Sequence, residues 1–315
     1  MNTSLKAHFL IDDVIWTLHE ITRRRPASLF DDPYMAMLKT AYEQYGIKTQ
    51  LNLFYRTNRE NYTCDFSLSE MTDAYKNEFC SAADWLKFGV HADSEFPDYP
   101  HPNVSYDEMK QLFDTIRREV VRFAGEDSFT YGMCPHWNAM SKDGVRALYD
   151  CGVRVMDVSA GAAIDYDPGF LSDEHEARLL QNRTPDARMY NRGGPLTAIN
   201  CSVCSYNHFS PEQLERTIFT HDCIPDEETG MLFKKFHLPL FTLNALSLAE
   251  IEDVCTAHVG KDYLGVCIHE QYFYSHYFNF QPDYAKKIFK MGEIFSRAGY
   301  EFVFPDSFFA KGRTD

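Results

Sequence analysis

The sequence predicts an α/β fold built on a parallel sheet. Short apolar runs typical of buried strands alternate with segments of helical periodicity in residues 7–158, and the alternation returns from residue 248 to residue 304. Strand, helix and strand in this order form βαβ units, which build parallel sheets. The chain has 315 residues, of which 44% are hydrophobic, so a large core can form. We expect a single domain over residues 1–315, with an insertion at 159–242 where the alternation fails.

Five strands are predicted in the first half of the chain. The first is an apolar run that ends in Asp12 and Asp13, and the later ones are rich in β-branched or aromatic residues. The helices between them carry apolar residues three and four positions apart, and one begins with a capping box, because Glu108 follows Ser105 by three residues. The predicted strands are 9–14, 47–55, 88–91, 129–133 and 153–158, and the predicted helices are 14–24, 34–45, 68–86, 105–123 and 142–149.

The second half begins with the insertion and then returns to the alternating order. Within the insertion, residues 196–203 and 231–240 alternate in polarity, and a turn signal at 227–230 precedes the second of them. These features predict antiparallel strands. After the insertion, the predicted elements are a helix at 248–258, a strand at 263–268, a helix at 283–298 and a strand at 302–304.

Composition excludes several classes of protein. The formal charge of −15 argues against a nucleic-acid-binding surface and against a polybasic patch for membranes. No apolar run approaches the length that crosses a bilayer, and the first eight residues lack the features of a signal peptide. Nine cysteines without such a signal predict free thiols in the reducing cytoplasm. Cys201 and Cys204 form one C-x-x-C pair, but no second pair lies nearby, which favours packing over a zinc site.

Polar residues that bind metals or carry protons follow one predicted strand after another. In parallel α/β folds ligands bind at the carboxyl ends of the strands, so these residues are expected to converge. Adjacent side chains in a strand point to opposite faces, so Asp12 and Asp13 share a pocket only if the chain turns there. A buried pair of carboxylates needs a metal, a cation or a proton, unless the doublet simply ends the strand and caps the next helix. The strand-end residues are Asp12, Asp13, His91, His136, Asp157, His269 and Glu270.

These segments, in this order, resemble the polysaccharide deacetylase superfamily. The resemblance rests on Asp12 and Asp13 after the first strand, on His91 after the third, and on the segments 134–137 (CPHW) and 267–270 (CIHE). It covers the chain on both sides of the insertion. The resemblance implies a distorted (β/α)₇ barrel with parallel strands, carrying the antiparallel insertion, and a metal-assisted N- or O-deacetylase activity.

The resemblance also implies a metal site at which Asp13 and His91 are ligands. The family places a second histidine four residues after the first, and in this sequence that position is Glu95. Imidazole nitrogen and carboxylate oxygen both bind zinc, so Asp13, His91 and Glu95 are the predicted ligands. His101 and His136 are the alternatives for the third ligand. The expected ion is zinc, and a carboxylate as third ligand makes manganese or magnesium more acceptable.

The remaining roles follow from the same resemblance, which implies that Asp12 is the general base and His269 the general acid. The predicted function is a metal-dependent hydrolase that removes an acyl group, such as acetyl, from a carbohydrate or amino sugar. The alternatives are a glycoside hydrolase with paired carboxylates and a non-catalytic carbohydrate-binding barrel that has lost its metal. The predicted substrate-binding residues are His136, Trp137, Asp157, Glu270 and Tyr272.

Overall fold

Strand β1 (Lys6–Val14) lies at the centre of a five-stranded sheet in the computed structural model. It pairs in parallel with β10 (Tyr263–His269) and with β2 (Thr49–Phe54), and β3 (Leu86–Ala92) continues the parallel order beyond β2. A short last strand, β11 (Glu301–Phe302), pairs in parallel with the first two residues of β1. β1 therefore pairs with strands from both halves of the chain.

The structure describes most of the chain outside the middle segment. The described residues are 5–59, 62–96, 100–101, 103–136, 139–158, 205–206, 223–235 and 242–306. The predicted strand at 196–203 and the Cys201–Cys204 pair lie outside them.

A second sheet contains strands from the middle of the chain. Strand β6 (Val155–Val158) lies between β4 (Gly132–Met133) and β9 (Leu232–Lys235), and both pairings are parallel. β8 (Cys223–Pro225) pairs with β9 in the antiparallel direction. The remaining described strands are β5 (Ala139–Met140) and β7 (Ser205–Tyr206), which form a parallel pair.

Two isolated bridges extend the parallel order beyond these sheets. Phe88 of β3 pairs in parallel with Phe129, just before β4, and Thr242 pairs in parallel with Cys267 of β10. The described path of parallel strands therefore runs β10–β1–β2–β3–β4–β6–β9. This confirms the predicted α/β class with parallel strands. The antiparallel β8–β9 pair lies in the predicted insertion, but β9 also pairs with β6 and so belongs to the parallel path as well.

Helices alternate with the parallel strands, as predicted. The capping box at Ser105 and Glu108 is present, and Gly46 ends α2 with a φ of 70°. The predicted helix at 68–86 is wrong in extent: a 3₁₀ turn (Leu68–Glu70) and a shorter α3 replace it, because the side chain of Thr72 binds the backbone of Ala74 between them. The described α-helices are α1 (Trp16–Arg24), α2 (Pro33–Tyr45), α3 (Lys76–Ala82), α4 (Tyr106–Phe123), α5 (Lys142–Asp150), α6 (Leu248–His258) and α7 (Tyr284–Arg297). In the part of the chain that the structure describes, none of them is long and apolar enough to cross a membrane.

The two faces of β1 are both buried but differ in chemistry. Ala7, Phe9 and Ile11 join the main core that includes the helices. The alternate residues face the other side of the sheet, where Leu10 forms a small separate cluster with two cysteines and Asp12 meets polar groups. Period-two alternation thus directs Ala7, Phe9 and Ile11 toward the helices and Leu10 and Asp12 toward the opposite face of the sheet.

Candidate functional site

At the carboxyl end of β1 the backbone turns so that two adjacent carboxylates face one cavity. Asp13 has a φ of 63°, in the left-handed region that non-glycine residues seldom adopt. The pairing register with β2 also shifts between Ile11 and Val14. Asp12 and Asp13 consequently line the same cavity, although each is only 5% exposed. The turn that a shared pocket requires is present, and holding Asp13 in it costs on the order of 1–3 kcal/mol.

Asp13, His91 and His136, here named the Asp–His cluster, bring three ligand atoms together. The Nε2 atom of His91 lies 3.1 Å from Oδ1 of Asp13 and 3.0 Å from Nδ1 of His136. Nδ1 of His136 lies 3.4 Å from the same oxygen of Asp13. His91 belongs to β3 and His136 follows β4, so the cluster forms because the ends of neighbouring strands meet.

Backbone carbonyls orient both rings of the Asp–His cluster. Nδ1 of His91 lies 2.6 Å from the carbonyl oxygen of Cys134, and Nε2 of His136 lies 3.1 Å from that of Glu95. A carbonyl oxygen only accepts, so each of these two nitrogens carries a proton, and whenever the rings are neutral their other nitrogens direct lone pairs toward Asp13. Three acceptors then face one another, which requires a cation or a shared proton among them. Two imidazole nitrogens and one carboxylate oxygen also match the donor set of catalytic zinc sites, so these residues fit the metal that the resemblance implies.

The local electrostatic field favours positive charge at this point. Burial disfavours a charged His91 ring, but the carboxylates of Asp12 and Asp13 outweigh burial and raise the pKa of His91 to about 9. Burial likewise acts to raise the pKa of Asp13, but hydrogen bonds with His136 and His91 outweigh it and hold the pKa of Asp13 well below its usual value.

Glu95, the predicted third ligand, lines the cavity but is engaged elsewhere. Its Oε2 accepts a hydrogen bond from Nε2 of Gln271 at 3.1 Å, and the same nitrogen donates to Oδ2 of Asp13 at 2.9 Å. His101, an alternative ligand, faces away: its Nε2 lies 2.9 Å from the carbonyl oxygen of His91, and burial lowers its pKa to about 3. The geometry therefore favours His136 as the third ligand.

Asp12 is held by side chains from the two strands that flank β1. Its Oδ1 accepts from the Nδ2 atom of Asn52 at 2.6 Å, and Oδ1 of Asn52 accepts from Nε2 of Gln50 at 2.7 Å. Gly89 makes room for this pair of amides, because a Cβ atom there would lie 2.8 Å from the Asn52 oxygen. The other oxygen of Asp12 lies 3.2 Å from the Sγ atom of Cys267. Asp12 is thus fixed in place without belonging to the Asp–His cluster.

His269 is the last residue of β10 and lines the same cavity. Its Nδ1 atom and its backbone N–H face Oδ1 of Asn244, at 3.0 and 3.2 Å. Because that oxygen is an acceptor, Nδ1 carries a proton and Nε2 is free to act in the cavity, 4.0 Å from Oδ2 of Asp13. The cavity has a volume of about 380 Å³ and is lined by Asp12, Asp13, His91, Glu95, Pro135, His136, His269, Gln271, Tyr272 and Tyr277.

The structure separates two predicted substrate-binding residues from this cavity. Glu270 is fully buried, and its carboxylate accepts hydrogen bonds from the backbone N–H groups of Ile15, Trp16 and Thr17 at the start of α1, each at 2.8 Å. Asp157 is 1% exposed and lies 3.6 Å from Nζ of Lys234. Neither residue lines the cavity, and a substrate contact would require breaking these buried interactions.

Of the other predicted substrate-binding residues, Tyr272 lines the cavity, His136 belongs to the Asp–His cluster, and Trp137 lies outside the described residues. Sequence reasoning missed Asn52, Gln271 and Asn244, whose amide groups contact Asp12, Asp13 and His269 respectively. A signal existed for the first, because Gln50 and Asn52 put two amides on one face of a fully buried strand. Amide side chains at Asn244 and Gln271 carry no comparable signal.

Comparison with known proteins identifies a shared fold. No family model matches the sequence, and no curated protein matches it. Among solved structures, the chain is similar to a 4-alpha-glucanotransferase from Thermococcus litoralis, with a TM-score of 0.51 and 10% sequence identity. The similarity covers 98% of this chain but only 40% of that protein. At this identity the likeness shows the fold alone.

Proposed function

We propose that this protein is a metal-dependent hydrolase that removes an acyl group from a carbohydrate or amino sugar. The observation that carries the proposal is the convergence of three acceptor atoms in the Asp–His cluster, beside two further groups suited to proton transfer. Those groups are Asp12 and His269, which line the same cavity. The resemblance to polysaccharide deacetylases supports the same assignment, since that family uses an Asp-Asp doublet and a later histidine in these roles.

The residues of the Asp–His cluster would hold the ion, with zinc as the expected metal. A site with two histidines and one carboxylate favours zinc over magnesium more strongly than the predicted site with Glu95 did. The chemistry that a divalent ion supplies when bound is polarisation of the acyl oxygen and acidification of a water molecule. Gln271 supports this arrangement, because its amide holds the second oxygen of Asp13 and leaves the first one directed at the histidines.

The protein's own groups would move two protons. Asp12 accepts a proton from the attacking water, and the amide of Asn52 keeps its carboxylate in place during the transfer. With a proton on Nε2 as well as on Nδ1, His269 donates the Nε2 proton to the leaving amine or alkoxide, since Nδ1 is committed to Asn244. The attacking oxygen forms the new bond to the acyl carbon, and the bond from that carbon to the sugar nitrogen or oxygen breaks.

The cavity suits a sugar residue. Its volume of about 380 Å³ falls within the usual range for small-molecule sites. Tyr272 and Tyr277 line it with their rings 5.2 Å apart, which offers an apolar face for a pyranose ring together with polar groups for its hydroxyls.

A second candidate is a glycosidase or glycosyl transferase. The structural neighbour is a 4-alpha-glucanotransferase, and the carboxylates of Asp13 and Glu95 are both bound by the amide nitrogen of Gln271. Retaining glycosidases place two carboxyl groups about 5–5.5 Å apart, and such a shared donor is compatible with that spacing. The proposal above is preferred because the other oxygen of Asp13 faces two histidine nitrogens, which glycoside cleavage does not require.

The deciding experiment compares two kinds of bond cleavage in one preparation. Purified protein is incubated with acetylated chito-oligosaccharides and with acetylated sugar esters, and both released acetate and new reducing ends are measured. We expect acetate release that stops with a chelator and returns with zinc, and we expect an Asp12→Asn variant to keep the metal and lose the activity. New reducing ends, or transfer between maltodextrins, in the presence of the chelator would instead support the second candidate. If neither product forms in the zinc-loaded protein, the hydrolase proposal fails.

A further inference from the structure

Two thiols lie against the carboxylate of Asp12 and have no part in the proposed hydrolysis. The Sγ atom of Cys267 lies 3.2 Å from Oδ2 of Asp12, and that of Cys134 lies 3.7 Å from the same oxygen. Both cysteines are buried and pack beside Leu10 on the interior face of the sheet. The amide of Asn52 donates a hydrogen bond to Oδ1 of Asp12, and Oδ2 is the oxygen that contacts both sulfur atoms.

His269 completes a set of three different donors with Asp12 and Cys267. Their ligand atoms all lie within 4.8 Å of one another. Cys267 and His269 are two residues apart on β10, so their side chains leave the same face, and Asp12 pairs with His269 in the parallel register of β1. Asn244 faces Nδ1 of His269, so we expect Nε2 to be the nitrogen that binds an ion.

We propose that Asp12, Cys267 and His269 form a second cation site, which takes a thiophilic divalent ion such as Zn²⁺ or Cd²⁺. Carboxylate oxygen, thiolate sulfur and imidazole nitrogen are all zinc ligands, and a sulfur donor selects softer ions over magnesium and calcium. Cys134 adds a second sulfur next to the same carboxylate oxygen. The site shares no residue with the Asp–His cluster, so the two sites can be emptied separately by mutation.

An ion reaches this second site through the cavity. Asp12 and His269 line the cavity, the side chain of His269 is 28% exposed, and Cys267 lies behind them. Binding breaks the S–H bond of Cys267 and forms a metal–sulfur bond, and the proton leaves to the solvent without any electron transfer. One consequence rests on the proposed function. An ion bound here coordinates both the general base, Asp12, and the general acid, His269, so excess zinc or cadmium inhibits the hydrolase.

The test measures cadmium binding by the metal-free full-length chain and therefore needs no substrate. It uses a parent variant in which Cys64, Cys80, Cys201 and Cys204 are replaced by serine, which removes the C-x-x-C pair and the two thiols that are exposed among the described residues. Equilibrium dialysis against cadmium chloride gives the ions bound per chain, and ultraviolet absorption reports thiolate-to-cadmium charge transfer. We expect the parent to bind two ions, one of which produces the sulfur band.

Single substitutions in this parent assign each ion. Cys267→Ala should lose one ion and the sulfur band, whereas Cys255→Ala, which removes a buried thiol from α6, should keep both. His269→Ala, at a partly exposed position, should also lose the second ion and gives the answer if Cys267→Ala does not fold. Asp13→Ala should lose only the other ion and keep the band, so a failure of the first metal site does not affect this result. The proposal is overturned if Cys267→Ala and His269→Ala both bind cadmium with the stoichiometry and absorption of the parent.

Discussion

Nδ1 of His136 lies 3.0 Å from Nε2 of His91, while the opposite nitrogen of each ring faces a backbone carbonyl oxygen. Two imidazoles held in these tautomers direct lone pairs at each other and at the carboxylate of Asp13. The protein therefore uses backbone geometry to keep the two rings in an arrangement that is unfavourable without a positive charge between them. This relationship, and not the spacing of residues in the sequence, defines the proposed metal centre.

The first prediction concerns the third metal ligand. His136→Ala should weaken zinc binding by more than the roughly 10–100-fold that is typical when a group outside the ligand shell is removed. Glu95→Gln serves as the control and should keep zinc, because the Glu95 carboxylate accepts a hydrogen bond from Gln271 and the substitution leaves the backbone carbonyl that faces His136 unchanged. Zinc content is measured by elemental analysis after dialysis against a series of buffered zinc concentrations. Retention of zinc by His136→Ala together with its loss in Glu95→Gln would restore the ligand set predicted from the sequence.

The second prediction concerns the orientation of His269. Asn244→Leu removes the acceptor that holds Nδ1 and the backbone N–H of His269, so deacylation should fall by about 10–100-fold while zinc content stays unchanged. Asn244→Asp keeps an acceptor oxygen at this position and should retain more activity than Asn244→Leu. Equal rates for the two variants would mean that this hydrogen bond does not position the acid.

The third prediction concerns the buried carboxylate of Glu270. Glu270→Gln replaces one acceptor oxygen with an N–H₂ group that faces backbone N–H groups at the start of α1, so the free energy of unfolding should fall by about 1–3 kcal/mol. Glu252→Gln, at an exposed ion pair with Lys290, is the matched control and should change it by less than about 1 kcal/mol. Urea unfolding monitored by circular dichroism measures both. Equal effects would show that the capping contacts contribute little.

The fourth prediction concerns the buried pair of Asp157 and Lys234. Burial raises the pKa of Asp157 to about 7, although Lys234 acts in the opposite direction. This folded-state pKa lies above the unfolded value of about 3.9. Between about pH 4 and pH 7 the unfolded chain therefore binds fewer protons at Asp157 than the folded chain, so the free energy of unfolding falls as the pH rises through this range. Lys234→Met removes the nearby cation, so it should destabilise the protein by about 3–5 kcal/mol when Asp157 is ionised and by less at low pH.

Urea unfolding of Lys234→Met at pH 5 and pH 9 tests this sign, and the larger loss is expected at pH 9. The double variant Asp157→Leu, Lys234→Met replaces both charges and should recover much of the stability. A loss for Lys234→Met that is independent of pH, and that the double variant does not recover, would show that packing alone explains the effect.

The class of fold and the edge of the sheet at which the candidate site forms both follow from the sequence. Alternating apolar runs specify parallel strands, and the carboxyl ends of parallel strands meet at one edge, so Asp12, Asp13, His91 and His269 could be placed together before any coordinates were known. The capping box at Ser105 was equally predictable, because it depends on residues only three positions apart.

Tertiary structure alone decided which of these side chains meet. Glu95 occupies the expected position in the sequence, but the loop after β3 directs it at Gln271, and the segment after β4 brings in His136. Glu270 directly follows His269, yet it points to the start of α1. Local periodicity reports which face of a strand or helix is apolar, whereas the direction of a side chain in a loop depends on backbone angles such as the φ of 63° at Asp13 and on contacts between distant segments, which spacing along the chain does not record.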